Sequence, residues 1–304
     1  MIHSNSEGDI YIEEMPLLLV HLREEEKGAD ARLSEVLSYA LDGYAYETAT
    51  EISAFEDYVN RWRRLEKTQN RKNPVQGRIL FAVPLGTSGI NLELYRLIRF
   101  LREHPDFLNG FVGGLLVDSE NDLYSKSAAK DLVFAANCAG CAFVGRPLVE
   151  GTRTLSNYTI VSNNLGTDLM GAYRESAAGL VKEVLGTDCV RKKCPKVLVL
   201  HASSHKTSNT YAIWNRVKEQ LPEMEIREIG LRNGTLSDCA GCPYKMCLHF
   251  GEQGSCFYGG VMVEDVYPAV READAIVMLC PNYNDALSAN LTAFINRLTS
   301  LFRT

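Results

Sequence analysis

Short apolar runs alternate with amphipathic helical patterns along the whole chain, and this alternation limits the fold more than any other feature. LLLVH (17–21), YAYETAT (44–50), RILFAVPL (78–85), VGGLLVD (112–118) and AFVG (142–145) read as strands. Helical patterns at 30–41, 52–66, 90–103 and 126–137 separate them, with apolar residues three and four apart, as in Leu94, Leu97, Ile98 and Leu101. Strands joined through helices run parallel, so an α/β sheet with helices on its faces is expected.

A further amphipathic helix spans 168–185, and GTDCVRKKCP (186–195) then breaks the pattern with Gly, Asp, Pro and a basic run. The domain boundary is expected there, giving domains 1–190 and 191–304. Beyond it the alternation restarts: strand 196–201, helix 209–220, strand 225–230, a cysteine-rich loop, helix 262–272, strand 274–280 and helix 288–302. Both halves contain a strand ending in proline, a small-residue loop and an amphipathic helix: VPLGTSGINLELYRLIRFL and LCPNYNDALSANLTAFINRL. That shared grammar suggests duplication of one α/β unit. The second half stops at its third helix, so its sheet should be incomplete, with an apolar edge that something must cover.

Charge and composition exclude several classes. With a net charge of −6 and a pI of about 5.6, no nucleic-acid or anionic-membrane surface is indicated. No apolar run approaches the ~20 residues of a membrane helix. MIHSNSEGDIYIEEMP has no basic and apolar signal pattern, so the cytoplasm is expected. Thiols stay reduced there, and nine cysteines is an odd number, so a disulfide framework is not expected.

Two segments carry chemistry. HASSHKTSNT (201–210) lies between a buried strand and a helix, where backbone N–H groups and a helix N-terminus face an anion. Six of the eight residues 203–210 bear hydroxyl or amide groups: Ser203, Ser204, Thr207, Ser208, Asn209 and Thr210, with Lys206 adding a charge. A helix cap alone needs fewer. CAGCPYKMCLHFGEQGSC (239–256) sets Cys239, Cys242, Cys247 and Cys256 in a C-x2-C-x4-C-x8-C pattern. Thiolates at this density can hold a four-iron cluster or zinc, or can pack as small apolar residues. His249 lies among them as a further candidate ligand. Cys138 and Cys141, in NCAGC, bridge a helix end and a strand start and read as structural, and Cys280 as the end of a buried strand.

Residues 196–300 resemble the NADPH-dependent FMN reductase branch of the flavodoxin-like superfamily. The resemblance rests on Ala202 to Thr210, similar to that family's Gly-Ser-x-Arg-x-x-Ser-x-Thr loop with Ala for Gly. It rests also on Pro281, Asn282 and Tyr283 followed by Ser288, Leu291, Phe294, Ile295, Asn296 and Arg297, similar to Pro-x-Tyr…Ser…Leu-Lys-x-Phe-Ile-Asp-Arg. It implies a flavodoxin-like three-layer fold in two halves, the second incomplete. FMN would be held by Ser203, Ser204, Lys206, Thr207, Ser208, Asn209 and Thr210 at its phosphate, and by Pro281, Asn282, Tyr283, Asn284 and Ser288 along its ring. NAD(P)H is the implied co-substrate, and a quinone-like, azo, nitro or flavin molecule the acceptor. No side chain is required as general acid or base, because the flavin carries the transfer. Iron–sulfur flavoproteins of this superfamily bear a compact cysteine run at the same place, so a non-enzymatic flavin and iron–sulfur electron carrier is the alternative. The first half looks like a degenerate copy, since Glu24, Glu25 and Glu26 stand where a phosphate loop would be. Related reductases build flavin sites from two subunits. A homo-oligomer or an internal pseudo-dimer, with Asp118 to Tyr124 near the flavin, is therefore expected.

Overall fold

The computed structural model describes residues 3–4, 10–11, 15–21, 23, 27–68, 76–189, 192–202, 208–232, 234–282 and 284–303. The chain divides into two compact units, Met1–Val190 and Arg191–Thr304.

The first unit is built on five parallel strands: β1 (Leu17–His21), β2 (Tyr46–Ala49), β3 (Gly77–Leu85), β4 (Phe111–Ser119) and β5 (Ala142–Gly151). Their spatial order is β2-β1-β3-β4-β5, the flavodoxin-like arrangement. A separate antiparallel pair joins His3–Ser4 to Ile10–Tyr11. β3 and β4 are buried almost throughout, which their near-continuous apolar sequences allow once helices cover both faces. On one face α1 (Lys27–Ala40) and α6 (Leu169–Gly186) bring Leu33, Val36, Leu37, Tyr173, Leu180 and Val184 onto the sheet. Gly114 permits this approach: a Cβ there would fall 2.8 Å from Leu180 and Val184. The other face is covered by α2 (Ile52–Thr68), α3 (Leu92–Glu103) and α4 (Ser125–Cys138), through Phe55, Trp62, Leu94, Leu101 and Leu132. Asn91 fixes the entry to α3. Its Oδ1 accepts the Leu94 N–H at 2.9 Å and its Nδ2 donates to the Pro84 carbonyl at 2.8 Å.

The second unit holds a smaller parallel sheet of β6 (Lys196–His201), β7 (Glu225–Gly230) and β8 (Ala275–Leu279), in the order β8-β6-β7. This is the first part of the same order. Trp214 of α7 (Asn209–Lys218) packs one face with Val197, Val199 and Leu279. The other face meets a π-helical turn, Met262–Val266, that runs into α9 (Tyr267–Glu272), together with α10 (Ala289–Arg297), through Met262, Tyr267, Leu291 and Phe294.

Several expectations are corrected. β5 runs to Gly151 rather than ending at 145, because an edge strand tolerates the Arg146-Pro147 interruption. The strand at 274–280 is not buried: Ala275, Ile276 and Met278 are exposed, Val277 is half-buried and only Leu279 is buried, since among the described residues no strand flanks it beyond β6. Helix 288–302 is α-helical only to Arg297 and continues as the 3-10 segment Leu298–Arg303. Two helices were not expected: α5 (Thr159–Leu165) and α8 (Tyr244–Glu252), the second inside the cysteine segment. Among the described residues no helix is long and apolar enough to cross a membrane.

Candidate functional site

From β6 the chain passes to β7 on one side and then returns to β8 on the other. The carboxyl ends of β6 and β8 therefore form the switch point where open α/β sheets bind ligands. The loops leaving these two strand ends are the ones singled out in the sequence. Ser203, Ser204, Lys206, Thr207 and Tyr283 lie outside the described residues. Ser208 is the N-cap of α7, its Oγ accepting the Tyr211 N–H at 3.1 Å, which leaves its O–H proton to donate. Asn209 and Thr210 form the first turn of α7, where the positive end of the helix dipole lies.

The second loop brings Pro281, Asn282, Asn284 and Ser288 to the same strand ends. Asn284 and Asp285 both take left-handed backbone, φ 51° and 56°, a conformation short polar side chains tolerate. Asn282 Nδ2 donates to Asp285 Oδ1 at 3.4 Å across this turn. Ser288 occupies the N-cap position of α10, yet its side chain makes no capping bond. Its Oγ is buried and has no hydrogen-bond partner among the described residues. A buried hydroxyl left unpaired costs about 1–3 kcal/mol. This is the kind of vacancy a ligand oxygen or ring nitrogen fills. Two residues on, Asn290 Nδ2 donates to the Leu231 carbonyl at 2.7 Å and ties the head of α10 to the end of β7.

α7 is held from beneath by Glu228 on β7. Its carboxylate accepts from Tyr211 Oη (2.6 Å), Lys218 Nζ (2.8 Å) and Trp214 Nε1 (3.2 Å). Burial pushes the Glu228 pKa up, but these donors outweigh it and hold the carboxyl at about 2. The His201 ring, buried at the end of β6, lies 5.1 Å from the Tyr211 ring.

Among the described residues the structure does not gather Cys239, Cys242, Cys247 and Cys256 into the expected metal centre. All are free, and among the described residues no three His, Cys, Asp or Glu side chains gather to hold an ion. The separation has local causes. Cys247 is carried on α8, whereas Cys256 packs against the core formed by Met262, Tyr267 and Phe294. The Cys239 N–H donates to Asp238 Oδ1, which also accepts from Asn296 Nδ2 at 2.9 Å. Arg297, buried, donates to the Gly259 carbonyl at 2.9 Å and to Ser237 Oγ at 3.5 Å. Asn296 and Arg297 of α10 thus bond to Ser237, Asp238 and Gly259, the residues flanking the cysteine segment. Metal ligation does not fit this donor arrangement. The thiol of Cys141 is buried, and burial pushes its pKa far up, in keeping with a packing role; Cys138 is exposed.

In the first unit Asp118 and Ser119 finish β4, a strand without a counterpart among the described residues of the second sheet, and are fully buried. Arg32 of α1 meets Asp118 through Nε (3.2 and 3.0 Å) and Nη2 (2.7 Å), and also donates to the carbonyls of Ser119 and Arg153. Glu120 Oε1 accepts the Ala29 N–H, in the first turn of α1, at 3.2 Å. Burial raises the Asp118 pKa against the opposing pull of Arg32. Arg32 escaped the sequence reading. The sequence offered no signal that sets Arg32 apart from Arg23 and Lys27 in the same stretch, of which Glu24 to Glu26 lie outside the described residues.

Neither the comparison with curated proteins nor that with solved structures found a match. Residues 195–303, within the second unit, match the family model described as NADPH-dependent FMN reductase.

Proposed function

We propose that the chain binds FMN at the β6/β8 switch point and uses NAD(P)H to reduce a small acceptor: a quinone-like, azo or nitro compound, or free flavin. One observation supports this above the rest. The Ser288 hydroxyl is buried at that switch point without a partner among the described residues, within the segment that matches the reductase family.

In this reading Ser203, Ser204, Lys206, Thr207, Ser208, Asn209 and Thr210 hold the phosphate, and the N-terminus of α7 adds its dipole. Pro281, Asn282, Tyr283, Asn284 and Ser288 line the ring. FMN supplies the hydride and electron transfer, and the chain binds it, orients it and keeps water from it. The Ser208 hydroxyl serves twice, accepting from Tyr211 N–H and donating outward. Glu228 keeps α7 seated so that its first turn faces the strand ends.

The test is NAD(P)H oxidation with a quinone or azo acceptor, with and without added FMN. Flavin-dependent turnover is expected in the intact chain. Ser203→Ala combined with Thr210→Ala should weaken FMN binding by roughly 1.5–3 kcal/mol for each lost bond to the phosphate. Unchanged affinity in a flavin titration would move the phosphate elsewhere.

A further inference from the structure

The chain leaves β8 on one side of β6 and is tied down again on the other. β6 stands between β8 and β7 in the sheet, and adjacent strands lie about 4.8 Å apart. Yet the head of α10 is bonded to the end of β7, where Asn290 Nδ2 donates to the Leu231 carbonyl at 2.7 Å. Leu231 follows β7 directly and is buried, and its own N–H donates at 2.7 Å to the carbonyl of His201, the last residue of β6. Leu291, next to Asn290, belongs to the same apolar cluster as Leu198, Leu200 and Leu231. The segment between β8 and α10 therefore crosses the carboxyl end of β6, and Leu231 joins the far end of that crossing to the strand it passes over.

Ser288 lies on this crossing, two residues before the tie. Its carbonyl accepts the Thr292 N–H at 3.0 Å, which fixes it to the first turn of α10. Its hydroxyl is buried and has no partner among the described residues, so no bond of its own sets where that hydroxyl stands. The bond from Asn282 Nδ2 to Asp285 Oδ1 closes only a local turn and anchors the crossing to nothing beyond it. We propose that Asn290 is the positioning residue of this site. Its bond to Leu231 sets the first turn of α10, the turn sets the Ser288 hydroxyl, and the hydroxyl sets the affinity and reduction potential of the flavin. The proposal rests on the reading of the β6/β8 switch point as an FMN site, and Asn290 itself touches no ligand in it.

Four full-length proteins test it: the unsubstituted chain, Ser288→Ala, Asn290→Asp and the double variant. Each is followed by flavin titration, by the midpoint potential of the bound flavin and by urea unfolding without flavin. Asn290→Asp keeps the side-chain shape and replaces the N–H donor by an oxygen. It should weaken FMN binding between about twofold and tenfold, as Ser288→Ala should. Both should also lower the reduction potential, since a donor to the ring favours its electron-rich reduced form. The double variant should fall no further than either single one, because both remove the same contact. Asn290→Ala, read in the same cycle, replaces Asn290→Asp should the acid unfold the chain. If the Asn290 variants lower only the unfolding midpoint, or if their effects add to that of Ser288→Ala, Asn290 is a structural tie and the proposal is overturned. An unsubstituted chain that takes up no FMN overturns the FMN reading and the proposal with it, so the two failures are read apart.

Discussion

At the carboxyl end of β4 the polar groups are engaged by their own chain. Asp118 holds Arg32, Ser119 Oγ accepts the Asn121 N–H, and Glu120 takes an amide from the first turn of α1. At the head of α10, at the carboxyl end of the second sheet, a buried serine hydroxyl has no such partner among the described residues. One topology thus ends in two different electrostatic states. The first is complete, with a cation matched to a buried anion. Among the described residues the second leaves the Ser288 hydroxyl without a partner and the α10 N-terminus without a side-chain cap. Shared topology does not imply shared function, and the polar groups at the strand ends decide which copy is free to take a ligand.

The strongest way to break this contrast is at Arg32. Arg32→Ala strands Asp118 in the interior without its cation, and losing one partner of a buried pair costs about 3–5 kcal/mol. Urea unfolding monitored for the first unit measures it. Burial already raises the Asp118 pKa, and removing Arg32 raises it further. A carboxyl with a raised folded-state pKa loses stability as pH rises through that value. The deficit should therefore be larger at about pH 8 than at about pH 4. A deficit that ignores pH would mean the pair is not what holds α1 to β4.

Much of this architecture was legible in the sequence. The bounds of β6 and β7 match the sequence reading, since an apolar run ended by a polar loop and a short mixed run ended by Gly are both clearly bounded. What the pattern hid has physical reasons. β5 continues through Arg146 and Pro147 because an edge strand may leave backbone groups unpaired. α8 went unread because Tyr244, Cys247 and Phe250 form its spacing, and the cysteine was weighed as a ligand. The loop residues of the site were named by type, but not what occupies them. That Ser208 caps while Ser288 does not depends on tertiary placement, as does the diversion of Asn296 and Arg297 to the cysteine segment.

Two helical glycines compare the packing of the units more finely. A Cβ on Gly251, in α8, would lie 2.5 Å from the Ser300 carbonyl oxygen, which is backbone and cannot swing aside. Gly251→Ala should cost about 1–3 kcal/mol. Gly179, in α6 of the first unit, has nothing within 4 Å of its added Cβ, so Gly179→Ala should instead gain about 0.5–1 kcal/mol. Thermal unfolding reads both, and equal signs would contradict the close approach of α8 to the last turn.

Glu228 gives the second unit an acid limit. Its folded-state pKa is about 2 against an ordinary value of 4.5. A depressed carboxyl pKa contributes stability above the ordinary value, and this is lost as pH falls toward the folded one. Second-unit stability should therefore fall between those two values. Glu228→Gln should flatten that slope and cost about 1–2 kcal/mol near neutrality. A slope unchanged by the substitution would take Glu228 out of the support of α7.

The smallest effect is the sharpest comparison of the two strand ends. Ser125, buried at the start of α4, donates its hydroxyl to Glu150, so Ser125→Ala removes a bond to a charged acceptor. It should cost about 1.5 kcal/mol in the absence of any ligand. Ser288→Ala removes a buried hydroxyl that has no partner among the described residues, so without ligand it should be neutral or slightly stabilising. With FMN present the order reverses. Ser288→Ala should weaken flavin affinity by about 0.5–1.5 kcal/mol, while Ser125→Ala leaves it alone. Unfolding curves and flavin titrations on the two variants separate the cases. If Ser288→Ala destabilises the flavin-free chain as much as Ser125→Ala does, its hydroxyl already has a structural partner, and the head of α10 is no more open than the end of β4.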